Sequence, residues 1–147
     1  MIEFKFGQNP ALCRFLAHVT LSSRFATQLI AQADVVVPVP LSAMRLRERG
    51  FNQSALLAHQ LAANLVNEHI LSRLRHTAPQ SELDREARLN NLLHSIAVNP
   101  SGLKTLSNRR VLLIDDVMTT GSTLTVCAQA LLSAGAKQVN CLVFARA

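Results

Sequence analysis

The sequence predicts a three-layer α/β domain, a mainly parallel sheet with helices on both faces. Three observations predict it. Strand-like apolar runs recur near residues 35, 71, 112 and 139. Stretches with apolar residues at helical spacing separate them. Such alternation suits parallel strands, because a parallel partner is reached only through a crossover. A chain of 147 residues suits one domain, 1–147, with a real core. Hydrophobic content is 49% with no Trp or Tyr, so that core is expected to be aliphatic. No internal repeat, low-complexity tract or linker divides it.

In chain order, Met1 to Phe6 is a short mixed stretch suited to a strand. Asn9-Pro10 can start a helix, with Pro at its first position, and Leu12, Phe15, Leu16 and Val19 follow at helical spacing. A second helix is expected over about Arg24 to Gln32. Both should cover the sheet, setting residues 1–33 apart as a helical N-terminal cover over a core of 34–147. Asp34 to Pro40 reads as the first clear strand, although Pro38 cannot donate to a ladder. Leu41 to Gln53 reads as a basic loop carrying Arg45, Arg47 and Arg49 around Glu48. A long helix should follow from about Gln53 to Glu68, with Leu56, Leu57, Leu61, Ala62 and Leu65 as its apolar face. Ile70 to Leu74 reads as a strand, and Thr77 to Asn91 as a polar loop and short helix. Ile96 to Val98 suits another strand, and Asn99 to Gly102 a turn. Lys104, Arg109 and Arg110 should face solvent.

The most informative stretch is Val111 to Thr123. Four apolar residues, Val111 to Ile114, suit a strand buried on both faces. Asp115 and Asp116 follow, then Thr119, Thr120, Gly121, Ser122 and Thr123. A helix is expected over Leu124 to Ala134, ended by Gly135, and a last strand over Gln138 to Ala145. A helix N-terminus attracts phosphate through its unpaired N–H groups. Glycine lets backbone approach a ligand closely, and Thr and Ser hydroxyls add donors without charge. Carboxylates suit sugar hydroxyls, whose protons they accept, and can draw in Mg²⁺ directly or through water. Together these parts describe a site for a sugar phosphate with vicinal hydroxyls. The arginines of the basic loop add forks suited to phosphate oxygens, at the carboxyl end of a strand where open α/β folds bind ligands.

All thirteen residues from Val111 to Thr123 resemble the motif by which type I phosphoribosyltransferases bind phosphoribosyl pyrophosphate (PRPP). Val37-Pro-Val-Pro-Leu41, the run Arg45-Leu-Arg-Glu-Arg-Gly-Phe-Asn-Gln53, and the spacing of Arg75, Thr77, Gln80, Leu83, Arg88 and Asn90 narrow this further. With Lys5-Phe6 and Gly135, they resemble the competence protein F (ComF) family, a branch of that fold, over nearly the whole chain. Members of that family usually begin with a Cys-rich zinc ribbon; this chain is expected to lack it, as a truncated form or as the product of a gene without it.

The resemblance implies a Mg²⁺-dependent phosphoribosyltransferase, a glycosyltransferase of nucleoside-type chemistry. A nucleophile, commonly a nitrogen, would displace pyrophosphate from ribose C1. It implies that Asp115 and Asp116 are the catalytic pair and hold the ribose hydroxyls. Thr119, Thr120, Gly121, Ser122 and Thr123 would wrap the 5-phosphate, and Leu41, Ser42, Arg45 and Arg49 would meet the pyrophosphate. The segment with Arg75, Thr77, Gln80 and Arg88 would be a lid, with Arg75 or Arg88 reaching the pyrophosphate. Mg²⁺ would come with PRPP and be shared by Asp115 or Asp116. Residues 1–33 would supply the hood over the acceptor, where Phe4, Phe6, Phe15 and Phe25 are the only aromatics. The alternative is a non-catalytic module that binds PRPP or a nucleotide in competence, DNA uptake or regulation.

Composition bounds the partners. A formal net charge of +6 suits a polyanionic ligand such as PRPP. Nucleic acid fits the charge too, but no recognition motif supports it. Cys13, Cys127 and Cys141 form no C-x-x-C pair, which argues against zinc and disulfides and for a reducing cytoplasm. Cys127 and Cys141 read as small core residues. The five histidines lack metal-ligand spacing. With no long apolar run, no membrane partner is expected. The acceptor is left unnamed by the sequence, and a homo-oligomer is compatible with it.

Overall fold

The computed structural model describes residues 10–74 and 95–146. The Met1 to Phe6 stretch and the proposed lid fall outside them. The element order is α1 (Pro10–Leu21), α2 (Arg24–Gln32), β1 (Val35–Pro38), α3 (Ala43–Arg49), α4 (Gln53–Ala62), a 3₁₀ turn (Ala63–Leu65), β2 (Leu71–Arg73), β3 (Ile96–Val98), α5 (Pro100–Leu106), β4 (Arg110–Met118), α6 (Ser122–Ser133) and β5 (Gln138–Arg146).

The central sheet is parallel, ordered β1-β4-β5. Its registers run from Val35 opposite Val111 to Pro38 opposite Ile114, and from Arg110 opposite Gln138 to Met118 opposite Arg146. Alternation along β1 and β4 sorts their apolar residues onto two faces. Val35, Val37, Val111 and Leu113 point into one buried cluster with Leu124, Cys127 and Leu131 of α6, Leu106 of α5, and Ile70, Leu71 and Ile96. Val36, Leu112 and Ile114 point into the other, against Leu57, Ala58 and Leu61 of α4 and Cys13 and Ala17 of α1. Both clusters are aliphatic, and the three-layer expectation holds.

Pro38 is tolerated because β1 turns that residue away from β4. The Val39 N–H donates to Ile114 O at 2.8 Å, whereas Val36 O faces outward and accepts from Asn67 N at 2.9 Å. By alternation, the nitrogen of Pro38 lies on the outward side and no ladder bond is lost.

Five expectations are corrected. Leu41 to Gln53 is not all loop: Ala-Met-Arg-Leu-Arg-Glu-Arg is a run of good helix formers and folds as α3. Ser42 Oγ caps it, accepting from Arg45 N at 3.3 Å, and Gly50 at φ +79° ends it. The helix after it ends at Ala62 rather than near Glu68. The strand near 71 does not join the parallel sheet; β2 pairs antiparallel with β3. Only Leu71 of its three residues is buried, so it lacks the two-sided apolar run of a central strand. The turn at Asn99 to Gly102 is the start of α5, with Pro100 in its first turn. Gly102 is needed there, since a Cβ would stand 3.1 Å from Ile70 Cα. Finally, Cys141 is exposed, on β5 at the end of the described strand order; Cys127 is buried as expected.

Candidate functional site

The site lies at the carboxyl end of β4. Val111 to Ile114 are buried, with Leu112, Leu113 and Ile114 fully so. The strand then runs on through Asp115 and Asp116 to Met118, both acids half-buried. The carboxylates therefore stand inside the last turns of a strand rather than in a loop after it.

Asp115 is held from two sides. Ser54 Oγ, in the first turn of α4, donates to its Oδ1 at 3.1 Å, and the Asp116 N–H donates to the same oxygen at 3.0 Å. Asp116 Oδ1 accepts from Val117 N at 2.9 Å. Burial, and then the adjacent Asp116 charge, push the Asp115 carboxyl up to about 6, while the Ser54 hydrogen bond pulls it down. The Asp115 charge reaches Cys127 of α6, whose thiol burial drives up to about 12, and Cys141 of β5. The charge of Asp116 bears instead on Cys13 of α1.

The hydroxyl-rich turn follows at once. Gly121 takes φ +77°, a left-handed conformation that Gly adopts without penalty, at the N-cap of α6. Thr120 Oγ1 and Ser122 Oγ lie 2.9 Å apart, and Ser122 N donates to Thr120 Oγ1 at 3.4 Å. Thr119 and Thr120 are exposed, and Gly121, Ser122 and Thr123 half-exposed, so the turn is open to solvent. These residues line a shallow pocket of about 40 Å³ that also touches Asp115. Asp115 and the turn thus share one hollow, while Asp116, next along the strand, is not part of its lining. A larger cavity of about 390 Å³ opens at the other end of the sheet, between Asp34, Asn64, Asn67, Thr105 and Arg109. It surrounds the amino ends of the strands, the end open α/β sheets do not use for ligands.

On the flank, Leu41 and Ser42 are half-buried between β1 and α3, and Arg45 and Arg49 are exposed on α3. One turn apart, they share a face of that helix. Arg75, Thr77, Gln80 and Arg88 lie outside the described residues.

Two residues were passed over in the sequence reading. One is Ser54, hidden because nothing local links it to an acid 61 positions on. The other is Arg73 at the end of β2. Its Nε is buried without a hydrogen-bond partner. Burial, and then the neighbouring Arg45, pull its pKa down, while Cys127 and Asp115 pull it up. An arginine at the end of a short strand opened by Leu71 was the available signal. It stands close enough to Asp115 and to Arg45 to feel both charges.

Comparison with known proteins identifies the family and the fold. The phosphoribosyl transferase domain matches residues 19–147. The chain is 36% identical to competence protein F of Haemophilus influenzae, over 99% of this chain and 66% of that protein. It is 38% identical to the DNA utilization protein YhgH of Escherichia coli, over 95% of this chain and 63% of that protein. It is 35% identical to competence protein ComFC of Bacillus subtilis, over 78% and 45%. The chain thus spans two thirds or less of these relatives. Among solved structures, it superposes on an allosteric regulatory enzyme of purine biosynthesis with a TM-score of 0.59 at 18% identity, over 92% of this chain and 25% of that one. It matches a purine phosphoribosyltransferase of Pyrococcus horikoshii at 0.53 and 16%, over 90% and 74%. At such identities the likeness is one of fold.

Proposed function

Since the chain belongs to the phosphoribosyl transferase domain family, we propose that it binds PRPP at the end of β4 and transfers its phosphoribosyl group to a nucleophile, most simply a nitrogen. One observation carries this reading. The half-buried carboxylate of Asp115 and an open glycine turn that begins a helix line the same hollow, with Asp116 the next residue on the strand. The carboxylates suit the ribose diol, and the turn suits the 5-phosphate.

In the reaction the nucleophile's lone pair forms a bond to ribose C1 as the C1–O bond to pyrophosphate breaks. The bonding pair leaves with pyrophosphate, and the nucleophile's proton passes to water. Positive charge gathers on the ribose, where ionised Asp115 and Asp116 stabilise it. Arg45 and Arg49, with Arg73 behind them, answer the charge developing on the leaving group. The protein's work is mainly positioning, so no nucleophilic side chain is needed.

The donor set fits Mg²⁺. No cluster of three His, Cys, Asp or Glu side chains occurs among the described residues. Mg²⁺ commonly takes only one or two protein carboxylates and fills its shell with water and substrate oxygens. Mg²⁺ would come with PRPP, with Asp115 or Asp116 sharing it, and it would supply neutralisation of the pyrophosphate.

The second reading is a module that binds PRPP or a nucleotide without turnover, in competence, DNA uptake or regulation. It is favoured by the relatives, which are named for competence and DNA utilization rather than for a transfer reaction. Phe15 and Phe25, offered for stacking a base, are 61% and 69% exposed. One experiment separates the two: incubation with PRPP, Mg²⁺ and a panel of bases and amines, followed by assay of pyrophosphate. Release that requires an acceptor supports transfer. Tight PRPP binding by calorimetry without release supports the module. Unchanged PRPP affinity in the double variant Asp115→Asn/Asp116→Asn would refute the ribose assignment under either reading.

A further inference from the structure

We infer that Ser54 is a positioning residue of this site: it fixes one oxygen of Asp115 so that the other is presented to the ligand's diol. The inference rests on the reading of Asp115 as a diol acceptor.

Ser54 is 3% exposed. A buried hydroxyl costs stability unless it is hydrogen-bonded, and the bond from Ser54 goes to Asp115 Oδ1 at 3.1 Å. The Asp116 N–H adds a second donor to that oxygen at 3.0 Å. Beyond these two bonds, the carboxyl's remaining side-chain neighbour is Asp116 itself, which when ionised accepts rather than donates. One oxygen is therefore saturated by the protein and the other is left to accept from something else. The torsion that swings a carboxylate has broad, shallow wells, so two donors on one oxygen are what give Oδ2 a fixed direction.

Ser54 is itself anchored. Its N–H donates to Asn52 Oδ1 at 3.1 Å, and Asn52 Nδ2 donates to Val39 O at 3.0 Å. A continuous series of bonds thus runs from the end of β1, through the cap and first turn of α4, to the acid on β4. The first turn of α4 sets the spacing between the two strand ends that border the site.

The test is calorimetry on the full chain with two probes, ribose 5-phosphate and inorganic phosphate. The second has no diol. Ser54→Ala should weaken ribose 5-phosphate about tenfold, the size expected for one charge-assisted hydrogen bond, and leave phosphate within about twofold. Ser54→Thr, which keeps the hydroxyl, should restore most of the loss. In an Asp115→Asn background, Ser54→Ala should cost nothing further for ribose 5-phosphate. Should Ser54→Ala fail to fold, Ser54→Cys, a weak donor of similar size, is judged by the same two ratios. Equal losses for both probes, or a full preference for ribose 5-phosphate in Ser54→Ala, would overturn the inference and leave the diol reading standing. A wild-type chain with no preference for ribose 5-phosphate over phosphate would overturn both.

Discussion

Replacing Asp115 by Asn should make the protein more stable at neutral pH while removing the proposed hold on a ribose. The folded-state carboxyl titrates at about 6, against 3.8 for an unperturbed aspartate. For an acid, a raised folded pKa means that the fold prefers the protonated form. Below pH 4 the group is protonated in both states and carries no penalty. As pH rises through 6, the folded state must hold a half-buried charge, and stability falls. A gap of about two pH units is worth about 3 kcal/mol at most. Water reaches part of this carboxyl, which brings the expected gain to about 1–2 kcal/mol. Asn keeps an acceptor oxygen for Ser54 Oγ and the Asp116 N–H, so neither bond need be lost. For a chain of this length that gain is roughly 3–6 °C in melting temperature. Denaturation of both proteins from pH 4 to pH 8 is the assay. The gain should be near zero at pH 4 and full at pH 8, with ribose 5-phosphate affinity lost throughout. A variant less stable at pH 8, or changed equally at every pH, would show that Asp115 carries no burial penalty.

Arg45→Ala or Arg49→Ala should weaken pyrophosphate more than ribose 5-phosphate in titration; equal losses would make these arginines structural. Gly121→Ala should cost about 1–2 kcal/mol in chemical denaturation, because φ is +77° there, and should also lower phosphate affinity. Its new Cβ would meet Met118 Sδ only at an ordinary 3.5 Å, so the cost belongs to the backbone and an unchanged midpoint would contradict it. Gly102→Ala should cost about 1–3 kcal/mol with ligand affinity unchanged, since its Cβ would press on the backbone of Ile70 far from the acids; a neutral result would mean that α5 shifts freely on β2.

What was legible in the sequence followed chain distance. Val111 to Thr123 announced its strand, acids, turn and helix because each part is local: apolar run, charge, glycine, then period. The paired helices α1 and α2 were visible for the same reason. What was missed depends on partners far along the chain. The segment at 71 has strand composition, but composition does not name a partner, and β2 pairs with β3 instead of the parallel sheet. The arginines of α3 drew attention by charge and hid a helix that Ser42 and Gly50 plainly bound. Ser54 carried no local sign at all, since its importance comes from a contact spanning 61 residues.

The two helices that border the site divide its charges between them. A helix N-terminus carries about half a positive charge and unpaired N–H groups. The first turn of α4 faces the protein's own anion, since Ser54 there reaches Asp115. The first turn of α6 bears no acid, and its hydroxyls are engaged with each other, Thr120 Oγ1 to Ser122 Oγ at 2.9 Å. An acid in that second turn would occupy the seat that a phosphate needs and repel it. With the carboxylates on the strand and only neutral donors at the α6 turn, a diol and a phosphate on one pentose can each meet the group that suits it. Ile114 is fully buried and Asp115 only half so; that one-residue step lets β4 be core from Val111 to Ile114 and, on the proposed reading, meet a ligand beyond it.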